Sequence, residues 1–360
     1  MASTPHALPV INLPVPRPGM SPQGTLTLTV ADTKGRYTIP YIQSPPTVSL
    51  QLQFSPTGPL RCHVRLLLGE TVKGTITATR ACSRVQFHEL TPAEYSVELT
   101  ALGDDGASVG VARHERLGIG TVLCAIGDSI TEGYHGHAFW RDDLDLRSDV
   151  FPAEAVSRDG RNFPQHAPTT PAHRPEVNCF QSWMTDLNDL LTERWGQPVF
   201  IANEGWGGIT SGGYLHMMQT DRGWQERMEL LRPSVWLIHL GVNDERAGVT
   251  PAAFAANIEA IADLLISDYD ARPGRVLVAR PCYDYAEGCA EMERAYIAEL
   301  DRLIARRGLA AGPDFFAAYA VDRARWYGDD PVHPNVEGMA YMAGLWADAL
   351  IAAFPEGVPG

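Results

Sequence analysis

The chain has 360 residues, longer than one hydrophobic core ordinarily serves, so two domains are expected. Hydrophobic residues make up 45% and charged residues 20%, a globular composition with enough apolar material for a sizeable core. The formal net charge of −14 argues against nucleic acid or an anionic membrane as the main partner and leaves a neutral substrate open.

The opening residues, Met1-Ala2-Ser3-Thr4-Pro5-His6, lack the basic and apolar regions of a signal peptide. No apolar stretch reaches the length of a membrane span. The expected location is therefore the cytoplasm, or outside it as a mature form whose signal has been removed. Six cysteines are present: Cys62, Cys82, Cys124, Cys179, Cys282 and Cys289. None forms a CxxC pair, which argues against a structural zinc site. Cys124 reads as a buried thiol. Cys62 with Cys82, or Cys282 with Cys289, could pair in an oxidising compartment.

Residues 1–23 are Pro-rich and read as an extended arm. From 24 to 117 short alternating runs are separated by turn signals. They include Thr25–Val30, Val48–Phe54, His63–Leu68, Thr75–Thr79 and Tyr95–Ala101. Period-two alternation with regular turns predicts a small antiparallel β-sandwich. Its type is fibronectin-III-like, immunoglobulin-like or jelly-roll. The segment Leu90-Thr91-Pro92-Ala93-Glu94-Tyr95-Ser96-Val97 resembles the corner before a late strand in fibronectin-III or immunoglobulin-like modules.

After residue 118 apolar strands alternate with helical patterns, the rhythm of a parallel sheet with crossover helices. Strands are predicted at 121–126, 198–202, 234–240 and 275–280, with a fifth near 314–316. Helices are predicted at 180–195, 212–231, 251–268, 288–307 and 336–353. The expected fold is thus a three-layer α/β/α, flavodoxin-like domain with a five-stranded parallel sheet over residues 118–360, behind the sandwich. Residues 134–179 lack any period and carry five prolines, and read as an irregular insertion over the end of the first strand.

That first strand, Thr121–Ile126, runs into Gly127-Asp128-Ser129-Ile130. The segment by itself fits a turn after a core strand equally well. Three other segments bear on it. The second strand ends in Asn203-Glu204-Gly205-Trp206-Gly207-Gly208-Ile209-Thr210, the third in Gly241-Val242-Asn243-Asp244. Asp330-Pro331-Val332-His333 precedes the last helix. Parallel strands present their carboxyl ends on one side, so Ser129, the glycine loop and Asn243 should converge there, and the last loop can bring His333 onto them.

In this order, these segments resemble the blocks of the SGNH hydrolase superfamily, also called GDSL esterases, over about residues 118–355. Ile130 stands where the usual first block has Leu. The resemblance implies a serine esterase. Ser129 would be the nucleophile, activated by His333 as general base. Asp330 would hold the imidazole in its working tautomer. The Ser129 and Gly208 backbone N–H groups and the Asn243 amide would form the oxyanion hole. No metal or organic cofactor is required. Asp128 and Asp244 are expected to organise the site by hydrogen bonding, and His239 to be structural.

A carbohydrate substrate is favoured by the predicted aromatic rim of Tyr134, Phe139, Trp140, Trp206, Tyr214 and Trp326, by the lack of an apolar lid, and by the leading sandwich. Asp128, Tyr134, His135, Trp206 and Trp326 are the candidate substrate contacts, with His137 beside them. The expected partner is a small-molecule or polysaccharide ester; the oligomeric state is not readable. The alternatives are a lipase or thioesterase for longer acyl chains, or a non-catalytic carbohydrate-binding protein on an esterase scaffold.

Overall fold

A computed structural model describes residues 10–12, 41–43, 48–54, 61–133, 183–282, 289–327 and 331–358. The strand expected at 25–30, the whole of the insertion expected at 134–179, and Asp330 lie outside the described residues.

Among the described residues eight strands come first: β1 (Val10–Asn12), β2 (Tyr41–Gln43), β3 (Val48–Gln53), β4 (Arg61–Leu68), β5 (Thr71–Thr79), β6 (Arg84–Phe87), β7 (Ala93–Leu102) and β8 (Ser108–Ile119). They form two sheets, β1-β3-β6 and β2-β8-β7-β4-β5. All the pairings are antiparallel except β2 with β8. Alternate residues of the two sheets meet in one core, with Leu50, Leu52, Val85 and Phe87 facing Cys62, Val64, Leu66, Val97 and Leu99. The first strand falls within the arm expected to be merely extended, where Val10–Asn12 pairs with β3. The corner before β7 is tied by the Tyr95 hydroxyl, which donates to the Thr91 carbonyl at 2.9 Å. A tyrosine hydroxyl bonded back to the backbone at such a corner is also a feature of immunoglobulin-like sandwiches. Cys62 is buried, Cys82 is exposed, and neither is in a disulfide.

Only Gly120 separates β8 from the next strand, β9 (Thr121–Gly127). A Cβ on Gly120 would lie 1.9 Å from the Pro198 carbonyl oxygen, so the crossing between the two folds needs glycine. A cleft of about 640 Å³ lies beside it, between Leu90–Pro92 of the sandwich and residues such as Arg232, Tyr269 and Arg275.

The second fold continues with α1 (Ser129–Glu132), α2 (Trp183–Trp195), β10 (Val199–Gly205), α3 (Ser211–Thr220), α4 (Arg222–Leu231), β11 (Val235–His239), α5 (Val242–Arg246), α6 (Pro251–Asp268), β12 (Val276–Arg280), α7 (Cys289–Arg307), β13 (Ala310–Asp314), α8 (Phe315–Ala320), α9 (Arg323–Tyr327) and α10 (Val336–Ala353). The sheet is parallel, in the order β10-β9-β11-β12-β13. This is the flavodoxin-like order, whose switch point lies between the first and third strands, here β9 and β11.

Every residue of β9, β10 and β11 is buried, which is why each opens as an apolar run, with Asn203, Glu204 and His239 buried at the carboxyl ends of β10 and β11. The side chains of β9 divide by period two. Val122, Cys124 and Ile126 pack under α3, α4, α6 and α7. Leu123 and Ala125 pack under α2, α8 and α10 on the other face. Stacked Trp183 and Trp346, with centroids 5.7 Å apart, join α2 to α10 on that second face. Each large apolar side chain fully buried this way stabilises by about 1.5–3 kcal/mol.

Two expectations are corrected. The helix expected at 212–231 is two helices, broken at Asp221, whose carboxylate accepts from the Gly223 N–H at 2.8 Å to start the second. The fifth strand is Ala310–Asp314, and residues 315–316 open α8 instead. Among the described residues, no helix is long and apolar enough to cross a membrane.

Candidate active site

The parallel register sets three chain ends abreast, because Gly127 pairs with Gly205 on one side and with His239 on the other. Ser129, the glycine loop and Asn243 follow these ends within four residues. They therefore emerge together at the carboxyl edge of the sheet, on both sides of the switch point.

β9 turns into α1 sharply. A Cβ on Gly127 would lie 2.0 Å from Thr131 Oγ1, so this turn admits only glycine. Asp128 caps α1, its Oδ1 accepting from the Ile130 N–H at 3.0 Å. Ser129 is the first residue of the helix. Its Oγ lies 2.9 Å from His333 Nε2, across 204 residues of chain.

His333 is delivered by the segment before α10. Val332 is sunk into the core, and Asn335 caps the helix by accepting from the Gly338 N–H at 2.9 Å. The Asn335 side chain also donates to the Arg325 carbonyl at 2.8 Å, and its N–H donates to the Trp326 carbonyl at 2.7 Å. The histidine thus sits between two anchors, one apolar and one hydrogen-bonded.

The glycine loop is held at several points. The Trp206 N–H donates to the Gly127 carbonyl at 3.0 Å, and the Gly207 N–H to Glu132 Oε2 at 2.6 Å. Gly208 has φ +77°, and a Cβ there would meet nothing within 4 Å. In this chain the need for glycine is the left-handed backbone at that position, since there is space for a side chain. At the start of α3, Ser211 gives Asp244 both its N–H, at 2.8 Å, and its hydroxyl, at 2.5 Å. The Asn243 amide donates to the Ile209 carbonyl at 3.0 Å, which turns that side chain toward the loop.

Charge beneath the site is buried. Asp128 is 1% exposed, and its carboxyl is pushed up to about 7, first by burial and then by the charges of Asp244 and Glu132, against the Ile130 N–H. Burial also raises Asp244, opposed by its bonds from Ser211. His239 is buried edge-on against Phe315, and burial lowers it to about 4, so it is neutral at pH 7.

The expected substrate contacts separate. Asp128 lies beneath the turn as a cap, away from any exposed surface. Trp206 is 36% exposed, next to the glycine loop. Trp326 is half-buried and stacks on Tyr341 with centroids 4.4 Å apart. Tyr214 belongs to the core instead of the rim: it is fully buried and its hydroxyl donates to the Glu204 carbonyl at 2.8 Å. Tyr134, His135, His137, Phe139 and Trp140 lie outside the described residues. The supporting roles of Glu132 and Ser211 are absent from the sequence reading, because both act on partners distant in the chain. Among the described residues, no cluster of three or more His, Cys, Asp or Glu side chains could hold a metal ion.

A serine hydroxyl in contact with a histidine nitrogen, at the switch point of a parallel sheet and beside a held glycine loop, is equipped for acyl transfer. The model of the GDSL-like lipase/acylhydrolase family matches residues 125–341, which include all of these segments, and the chain belongs to that family of carboxylic ester hydrolases. An arylesterase from Vibrio mimicus is 26% identical over 171 residues, 48% of this chain and 79% of that protein. Solved structures similar to the chain include a lipase/acylhydrolase from Enterococcus faecalis, 16% identical with a TM-score of 0.43 over 64% of this chain and 96% of that one. A catalytic mutant of an acetylxylan esterase from Geobacillus stearothermophilus is 15% identical, with a TM-score of 0.42 over 65% of this chain and 95% of that one.

Proposed function

We propose that this ester hydrolase removes acetyl or other short acyl groups, with O-acetyl groups on carbohydrate as its substrate class, through a serine acyl-enzyme. The observation that carries the reading is the 2.9 Å contact between Ser129 Oγ and His333 Nε2. Ser129 attacks the ester carbonyl while His333 takes its proton at Nε2. The tetrahedral oxyanion accepts from the Ser129 and Gly208 N–H groups and the Asn243 amide. His333 returns the proton to the departing sugar oxygen, which leaves as the hydroxyl, and a water activated the same way releases the acid. Asp330, three residues before His333, is assigned to orienting the imidazole and stabilising its charged form. Losing one oxyanion donor typically costs about 10²–10³ in rate.

The sugar reading rests on Trp206, an exposed aromatic face beside the glycine loop. The leading sandwich is taken as an accessory domain.

The test pairs two assays. A series of p-nitrophenyl esters from acetate to palmitate should peak at acetate or propionate, and acetate should be released from acetylated xylan or chitooligosaccharide. Preference for long chains would replace this reading with a lipase or thioesterase. Ser129→Ala should abolish turnover while the fold is retained. An active Ser129→Ala enzyme would remove the assignment altogether.

A further inference from the structure

We infer that Glu132 is a positioning residue that holds the oxyanion-binding loop in register with the nucleophile, an inference that rests on the serine-esterase reading above. Ser129 and Glu132 are the first and last residues of the same single helical turn. Glu132 is 1% exposed, and its Oε2 accepts the Gly207 N–H at 2.6 Å. Its own carbonyl accepts from Asn203 Nδ2 at 3.2 Å, and its N–H donates to the Asp128 carbonyl at 2.8 Å. Gly205 packs on it so closely that a Cβ would lie 2.2 Å from the Glu132 nitrogen. The turn that aims the serine is therefore bolted to the glycine loop.

The physical need is local. Gly207 and Gly208 are adjacent glycines, and such a pair has the widest conformational freedom of any dipeptide. The Gly208 N–H can serve an oxyanion only if the peptide before it is already fixed, because preorganised donors stabilise and mobile ones do not. A buried acceptor oxygen on the Gly207 N–H supplies that fixation. Asp244 does the same from the far end of the loop, through the Ser211 N–H. Gly208, Ile209 and Thr210 lie between these two anchored amides.

The side chain of Glu132 does not touch the reacting atoms in this account, so its test needs a readout that bulk destabilisation would leave alone. Three variants are compared with p-nitrophenyl acetate as substrate and a simple alkyl boronic acid as a tetrahedral, oxyanion-forming inhibitor. Glu132→Gln keeps an acceptor oxygen at the same reach and should stay within about threefold of wild type in kcat. Glu132→Ala removes the acceptor. Glu132→Asp keeps the charge but falls one methylene short of Gly207. Both should lose about 10- to 100-fold in kcat with KM changed less than threefold, and boronate affinity should weaken in step with kcat/KM. If Glu132→Ala does not fold, Glu132→Asp set against Glu132→Gln decides alone. Unchanged kcat in the Ala or Asp variant, or a kcat loss with boronate affinity intact, would overturn the inference. Ser129→Ala separates the two levels: an active Ser129→Ala enzyme removes the esterase reading itself, whereas an inactive one beside fully active Glu132 variants removes only this inference.

Discussion

Asp128→Asn should change how stability depends on pH, by an amount that follows from two neighbouring buried groups. His239 pairs in the sheet with Gly127, the residue before Asp128. Burial raises the Asp128 carboxyl from 3.8 to about 7, and it lowers His239 from 6.5 to about 4. As pH falls from 8 to 5, the folded Asp128 takes up a proton that the unfolded chain does not. Stability from that group therefore rises, by about 2–3 kcal/mol over the interval. Over the same interval the unfolded His239 becomes charged while the folded one stays neutral. Stability from that group therefore falls, by about 2 kcal/mol at pH 5. The two contributions nearly cancel in the wild type.

Asparagine at 128 retains the oxygen that accepts from the Ile130 N–H but cannot ionise, so the cancellation is lifted. Relative to wild type, the variant should gain about 2–3 kcal/mol on going from pH 5 to pH 8. Urea unfolding at pH 5, 6, 7 and 8, with each free energy extrapolated to water, measures this difference directly. Parallel curves for variant and wild type would mean that Asp128 titrates in the folded chain as it does in the unfolded one, and the reasoning would fail.

The partner substitution runs the other way. His239→Gln should gain about 2 kcal/mol relative to wild type at pH 5 compared with pH 8, read from the same urea series. Two glycine substitutions separate conformation from space. Gly208→Ala meets open space but keeps φ near +77°, so melting should reveal a loss of about 1–2 kcal/mol, with reduced esterase kcat. Gly205→Ala drives a methyl into the Glu132 backbone at 2.2 Å and should be the worse of the pair in both stability and activity.

The readable parts of the fold were those whose burial marks the sequence. β9, β10 and β11 are buried on both faces and show as apolar runs. β13 is an edge strand reading Ala-Ala-Gly-Pro-Asp, with no β-branched residue, and nothing in its composition announces a strand. It exists because Gly312 fits against β12, where a Cβ would lie 2.8 Å from the Ala279 nitrogen. β8 hid for another reason: Val109 and Val111 face outward, 42% and 56% exposed, so its apolar alternation marks the wrong face. The break at Asp221 was invisible because buried residues continue at helical spacing on both sides, Met217 and Met218 before it and Trp224 and Met228 after.

The site divides along a chemical line. Ser129, Asn243 and His333 were legible because in the proposed mechanism their side chains are the reagents, and reagents are restricted to few residue types. The residues that hold the loop act on backbone N–H groups, which every non-proline residue carries. Glu132 bonds Gly207 and Asp244 bonds Ser211 through main-chain amides that leave no trace in the partner's identity. A short motif can therefore name what reacts and stay silent on what keeps two adjacent glycines still. That second requirement falls on carboxylates buried beneath the serine, the same cluster whose mutual repulsion helps lift Asp128 to about 7. Anchoring the oxyanion loop and sensitising stability to pH are on this account two consequences of one arrangement, and Asp128→Asn with Glu132→Asp tests whether each can be altered without the other.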